Sequence, residues 1–286
     1  MQIDCKLSPE DLLGRDVDLP SAPTIFHKLN SLLANSSAQS DDFAKLVEQD
    51  PGLTARLLRI VNSPFFGLRQ KIISTKHAVN LLGLNELRDL VIATTVIDRF
   101  KGFDNTLVSM PVFWRKSLKC GLIAKFLLPA TNQGDAGESL FVAGLLHDIG
   151  HLLLYRQLPE LMREAVLRQE STGQPLWRIE RASIGFDYGA LGGALLKSWS
   201  MPAVLVEIVT HHTDPGADSG NYPRETALVS LAARIAGMEV MNAENLDVLI
   251  PAGSPVWRLA GIQPAKLPDI LETVSQRLEG AETLMA

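Results

Sequence analysis

Apolar residues recur along this chain at three- and four-residue intervals, and no stretch shows the alternation of a half-buried strand. Ile25, Leu29 and Leu32–Leu33 stripe a first helix after Pro23, and Asn35-Ser36-Ser37 ends it. Phe43, Leu46 and Val47 stripe the next, with Ser40 or Asp41 as its cap. Asp50 as N-cap and Pro51 at the first helical position open a third, whose inward face is Leu53, Leu57, Leu58 and Val61. Asn62 to Gly67 is a turn carrying two adjacent aromatics, Phe65 and Phe66. Ser74 or Thr75 starts a helix through His77, Val79 and Leu82, which Gly83 terminates. Asn85 then caps a helix with Leu87, Leu90, Val91, Thr94 and Ile97 inside. Five helices joined by short turns predict an all-α bundle.

The second half continues the pattern. Val112 to Leu128 reads as one helix, and a polar loop at 130–138 precedes the most apolar stretch of all, Phe141 to Tyr155. Read as one continuous helix, this stretch sets His147, Asp148 and His151 in an arc of roughly 100° on an otherwise apolar surface. A carboxylate and two imidazoles in such a helix are costly unless partners satisfy them. Further helices follow at Leu158–Glu170, Leu176–Phe186, Leu191–Trp199, Ala203–Thr210 and Glu225–Val240, with a last one opening at Pro264 or Pro268. His211 and His212 end the Ala203 helix, where the helix dipole favours a protonated imidazole.

Composition narrows the class without changing the fold. The 286 residues are 46% hydrophobic and 21% charged, which excludes a disordered chain. A net charge of -5 without a dense basic run argues against nucleic-acid binding. Arg56, Arg59, Arg69, Lys71 and Lys76 make a local basic excess that reads as a solvated helix face. Cys5 and Cys120 make neither a disulfide framework nor a zinc motif and fit a reducing cytoplasm. No apolar run reaches ~18 residues, so no membrane span is expected. MQIDCKLSPEDLL lacks the pattern of a signal peptide.

Three blocks carry a resemblance: LPSAPTIFHKLNSLL, DPGLTARLLRIVNSPFFG and ISTKHAVNLLGLNELRDLVIA. With FWRKSLKCGLIAKFL, FVAGLLHDIGHLLL, GALGGALLKSWSMP and the HH pair, their order and spacing resemble the HDOD (HD-related output domain) family over roughly residues 19 to 213. The resemblance implies a two-lobed all-helical fold. An N-terminal helical lobe (19–105) would pack on an HD-like lobe (106–213) related to HD-domain phosphohydrolases. Residues 1–18 would form an arm, and 214–286 would add C-terminal helices that complete the HD-like lobe.

HD phosphohydrolases hold a metal with an early His, a His-Asp pair and a distant Asp. Here His147 and Asp148 keep the pair, Lys116 in WRKS falls at the early His, and Arg234 in LAARIA at the distant Asp. Tyr188 in GFDYGA falls where a further His is often seen. A charged Lys or Arg cannot ligate a metal, but either could stand in its place and neutralise Asp148. The expected site is thus a residual pocket of Lys116, His147, Asp148, His151, Tyr188, His211, His212 and Arg234, with no catalytic residue and no cofactor. Its core would be closed by hydrogen bonds among His147, Asp148, His151 and Lys116.

The competing reading is metal-bound. His147 and His151 have i, i+4 spacing, Asp148 adds an oxygen, and His211 or His212 could complete a site for Fe, Mn or Zn. The sequence therefore carries two function hypotheses. The favoured one is a non-catalytic bacterial signal-transduction module that acts through protein partners, with a small ligand of the residual pocket as a candidate input. The alternative is a metal-dependent phosphohydrolase or phosphodiesterase.

Overall fold

A computed structural model of the chain describes residues 7–15, 24–33, 39–62, 68, 70–100, 102, 107–128, 139–217, 220–238, 250–251 and 253–281. Every regular element among them is helical, and none is a strand. The helices are α1 (Pro9–Arg15), α2 (Thr24–Leu33), α3 (Ser40–Glu48), α4 (Pro51–Val61), α5 (Thr75–Leu82) and α6 (Leu84–Arg99). They continue as α7 (Met110–Leu127), α8 (Leu140–Leu146), α9 (Ile149–Gln157), α10 (Pro159–Thr172) and α11 (Leu176–Ile184). The remainder are α12 (Tyr188–Ser198), α13 (Ala203–His211), α14 (Pro223–Ala236), α15 (Pro255–Ala260) and α16 (Leu267–Ala281). The expected Phe65-Phe66 turn, the end of the first helix at Asn35-Ser36-Ser37 and the 130–138 loop lie outside the described residues.

Local chemistry accounts for the boundaries in the first half. The Asp50 carboxylate accepts from the Leu53 N–H at 3.0 Å, and Pro51 occupies the first helical position as expected. Ser74 caps α5 by accepting from the His77 N–H. Gly83, at φ 87, both ends α5 and precedes α6, so α6 begins at Leu84 and Asn85 lies inside the helix it was expected to cap. The left-handed backbone lets one glycine serve as the whole connection. The basic excess is partly paired: Arg56 meets Asp98, and Lys76 meets Asp41 at 2.8 Å.

One continuous hydrophobic core runs from Leu12 to Val274. The helices α2 to α6 pack on their neighbours, and α6 also packs on α8. The helix α7 lies against α8, α14 and α16, so helices beyond residue 213 share its core. The short helix α1 packs on α12, burying Leu12.

The largest departure from the sequence reading concerns Phe141 to Tyr155. This stretch is two helices rather than one, with His147 and Asp148 forming the turn between α8 and α9. Asp148 leaves helical geometry (φ -98, ψ 2) and occupies the N-cap position of α9, yet its side chain caps no N–H of that helix. Lys116 from α7 and the His151 ring satisfy the carboxylate instead. Periodicity registers spacing along the chain and is blind to such partners, which is why it joined the two helices.

Glycines set how closely the surrounding helices approach. A Cβ on Gly144 would lie 2.7 Å from the Cα of Gly121, so α7 and α8 cross backbone against backbone. A Cβ on Gly150 would run into the backbone of α12 at Tyr188 and Gly192. These two crossings bring Lys116 of α7 and Tyr188 of α12 up to the α8–α9 turn.

Candidate functional site

Five segments converge on that turn: α7 supplies Lys116, the turn His147 and Asp148, α9 His151, α11 Glu180, and α12 Tyr188. His212, the C-cap of α13, faces the same point. The Lys116 ammonium donates to Asp148 Oδ2 at 2.7 Å. Asp148 is buried, whereas 40% of the Lys116 side chain stays exposed, so the pair is sealed only at its carboxylate end. Asp148 Oδ1 lies 2.5 Å from His151 Nδ1, and His151 Nε2 lies 3.0 Å from Glu180 Oε1. The other Glu180 oxygen accepts from the Tyr188 N–H at 2.9 Å.

A carboxylate accepts and an imidazolium can donate from both nitrogens, so His151 between two carboxylates carries both protons. The result is a buried chain of alternating charge: Lys116, Asp148, His151, Glu180. Burial opposes ionisation of Asp148, but Lys116, His151 and His147 outweigh it and hold its carboxyl well below the usual range. Burial likewise opposes the His151 charge, yet Asp148 and Glu180 push its pKa up to about 9. The field of Asp148, against the cost of burial, keeps Lys116 above its ordinary value. The Tyr188 ring stacks on the His151 ring at 3.7 Å between centroids, where a cation is favoured.

His147 and His212 behave differently. The Nδ1 of His147 donates to the Gly144 carbonyl at 2.6 Å, and that of His212 to the Val209 carbonyl at 2.8 Å. A carbonyl only accepts, so in each neutral ring Nδ1 holds the proton and Nε2 presents a lone pair. Burial drives the pKa of His147 down to about 3 and that of His212 to about 4. The expected protonated imidazole at the end of α13 is therefore corrected for His212: desolvation outweighs the helix dipole. The two rings meet edge to face at 5.3 Å, and His212 Nε2 is buried without a hydrogen-bond partner.

The expected group is thus gathered in part. Lys116, His147, Asp148, His151, Tyr188 and His212 come together. The expected closing bonds run through Lys116, Asp148 and His151, while His147 turns to its own backbone. His211, half-buried at the end of α13, joins no hydrogen bond of the cluster. Arg234 is half-buried on α14 and makes no bond to Asp148 among the described residues. Burial pulls its pKa down, against the fields of Tyr188 and Asp214.

Glu180 escaped the sequence reading. It stands in Trp177-Arg178-Ile179-Glu180-Arg181, a run that looks like a solvated amphipathic face, and nothing local marks one carboxylate as fully buried. Asp187 was not singled out either. It opens α12 by accepting from the Ala190 N–H and also holds Arg181 and Thr213, at 2.8 and 2.9 Å.

Against this geometry the comparisons are decisive for the family. The HDOD domain profile matches residues 19–215. The chain belongs to the HDOD family. Among solved structures, an HDOD domain protein of unknown function from Geobacter sulfurreducens aligns over 96% of both chains with TM-score 0.78 and 24% identity. A candidate phosphohydrolase from Shewanella amazonensis aligns over 96% of this chain and 98% of its own, with TM-score 0.76 and 23% identity. At these identities the likeness concerns the fold. An uncharacterized protein of Treponema pallidum is 24% identical over 207 residues, which are 72% of this chain and 40% of that protein. YuxH of Bacillus subtilis, also uncharacterized, is 24% identical over 172 residues, 59% of this chain and 39% of its own length. The chain thus spans about two fifths of the curated relatives it matches.

HDOD domains are degenerate relatives of the HD phosphohydrolases, so the site must be tested for a metal. Among the described residues no three His, Cys, Asp or Glu side chains are grouped to hold one. The chemistry of the donors agrees. One Asp148 oxygen is engaged by an ammonium and the other by His151, whose two nitrogens are both occupied. The side chains in place do not fit a divalent cation. No described helix is long and apolar enough to cross a membrane.

Proposed function

We propose that this HDOD chain is a non-catalytic signal-transduction module of the bacterial cytoplasm that works through contacts with a protein partner. The observation that carries this reading is the Lys116 ammonium 2.7 Å from Asp148, where a hydrolytic relative needs a metal to activate water. A structural relative from Marinobacter aquaeolei bears a name proposing signal transduction. It aligns over 99% of this chain and 62% of its own, with TM-score 0.73 and 20% identity, and lends the reading support. The division into an N-terminal lobe (19–105) and an HD-like lobe (106–213) is part of the same proposal. The packing of α14 and α16 on α7 supports adding the C-terminal helices to the second lobe.

Metal analysis of the purified chain, paired with a phosphodiesterase assay on a chromogenic diester, tests the proposal. The expected result is substoichiometric iron, manganese and zinc with no turnover when any of the three is added. Stoichiometric metal and turnover, both lost in a His147→Ala/Asp148→Ala variant, would establish the phosphohydrolase instead.

A further inference from the structure

The misfit between the site and a metal has a specific form. The site is not simply short of ligands, because a positive charge already stands in it. Lys116 reaches Asp148 from α7, and its ammonium faces the carboxylate oxygen that His151 leaves free. That same oxygen is 4.0 Å from His147 Nε2. Around it remain two lone pairs on neutral rings, His147 Nε2 and His212 Nε2. Each ring is fixed through Nδ1 to a backbone carbonyl, which is how metal-binding histidines are oriented. The His212 nitrogen is buried and has no partner. The site therefore keeps a buried carboxylate and two neutral imidazoles, and the cation bonded to that carboxylate is part of the chain.

We infer that Lys116 is the resident cation of this site, replacing a divalent metal electrostatically, so that the fold is metal-independent and depends on the charge at position 116 instead. The arrangement explains why a buried Asp148 needs no ion from solution, and why the α7–α8 crossing at Gly121 and Gly144 is so close: the crossing sets the reach of Lys116.

Melting temperatures of the full chain test this with Co2+ and EDTA as probes. The wild type should melt at the same temperature with either. Lys116→Met, uncharged but of similar length, should melt roughly 3–8 °C lower and stay indifferent to EDTA. Lys116→Arg, which keeps the charge, should melt closer to the wild type than Lys116→Met does. The inference is overturned by an EDTA-sensitive wild type, or by Lys116→Met melting with the wild type. The inference does not rest on the signalling proposal, and none of these measurements involves turnover. A failure here is therefore distinct from a failure of that reading, which the hydrolysis assay decides.

Discussion

The helices α2 to α6 and the helices α7 to α14 are made of the same apolar material but are held together by different means. Among the described residues, the buried polar side chains of the first group are Thr75 and Thr94. Every described buried His, Asp or Glu, from His147 to His212, belongs to the second. The first group closes on stripes of Leu, Ile, Val and Phe, with side chains at the starts of α3, α4 and α5 satisfying the backbone locally. The second closes backbone on backbone at glycines and encloses a chain of charges whose members come from three helices and a turn. A core of the first kind tolerates conservative changes of shape. In the second, each member is costly to remove because its neighbour is left charged and dry.

The sharpest way to break this contrast is to delete one carboxylate. Glu180→Ala strands the His151 imidazolium and the Tyr188 N–H together, and it should cost about 3–5 kcal/mol by urea denaturation. Leu57→Ala, an equally buried truncation in α4, should cost about 3 kcal/mol through lost burial and a residual cavity. The discriminating partner is a volume-conserving pair, Leu57→Met against Glu180→Gln. The first should cost less than about 1.5 kcal/mol and the second more. Equal costs would mean that the charge chain contributes no more than packing.

The pH dependence should come from the second group alone, in two arms of opposite sign. Folded His147 and His212 titrate at about 3 and about 4, below the ordinary 6.5. Their contribution is complete above pH 6.5 or so and is lost as the pH falls below it, because the unfolded chain then takes up protons the folded one refuses. Folded His151 is raised to about 9, so its contribution is complete below its unfolded pKa and is lost as the pH rises through 9. Each arm is on the order of 2 kcal/mol. Urea midpoints at pH 5, 7 and 9.5 should peak at neutrality, and His151→Gln should flatten the alkaline arm while leaving the acid one. A His151→Gln profile that keeps its alkaline fall would remove His151 from the chain of charges.

The smallest effect belongs to the first group. Asp50→Ala removes the bond to the Leu53 N–H and should lower stability by about 1 kcal/mol, restored to within a few tenths by Asp50→Asn. The cap is local, so this loss should add to that of Glu180→Ala without coupling. A coupling above about 0.5 kcal/mol in the double variant would show that the two groups of helices do not act independently.

What the sequence determined follows the same division. An all-helical chain, the stripes facing the core and the Asp50-Pro51 and Gly83 punctuation are local properties, set by side-chain spacing and by backbone chemistry within a few residues. Lys116 as partner of Asp148 was legible too, because the family pattern placed a cation where a ligand belongs. Tertiary structure decided the rest. The helix around His147 and Asp148 breaks because the Asp148 carboxylate is claimed from α7 and α9. Glu180, which looks like any charge on an exposed face, becomes the buried end of a chain 64 residues after Lys116, counted from their positions. The two kinds of histidine differ for the same reason. His151 is charged because two carboxylates hold its two nitrogens, and His147 and His212 are neutral because each bonds only a backbone carbonyl and burial outweighs the field of Asp148. Protonation depends on which groups arrive from other helices, and no spacing along one helix encodes that.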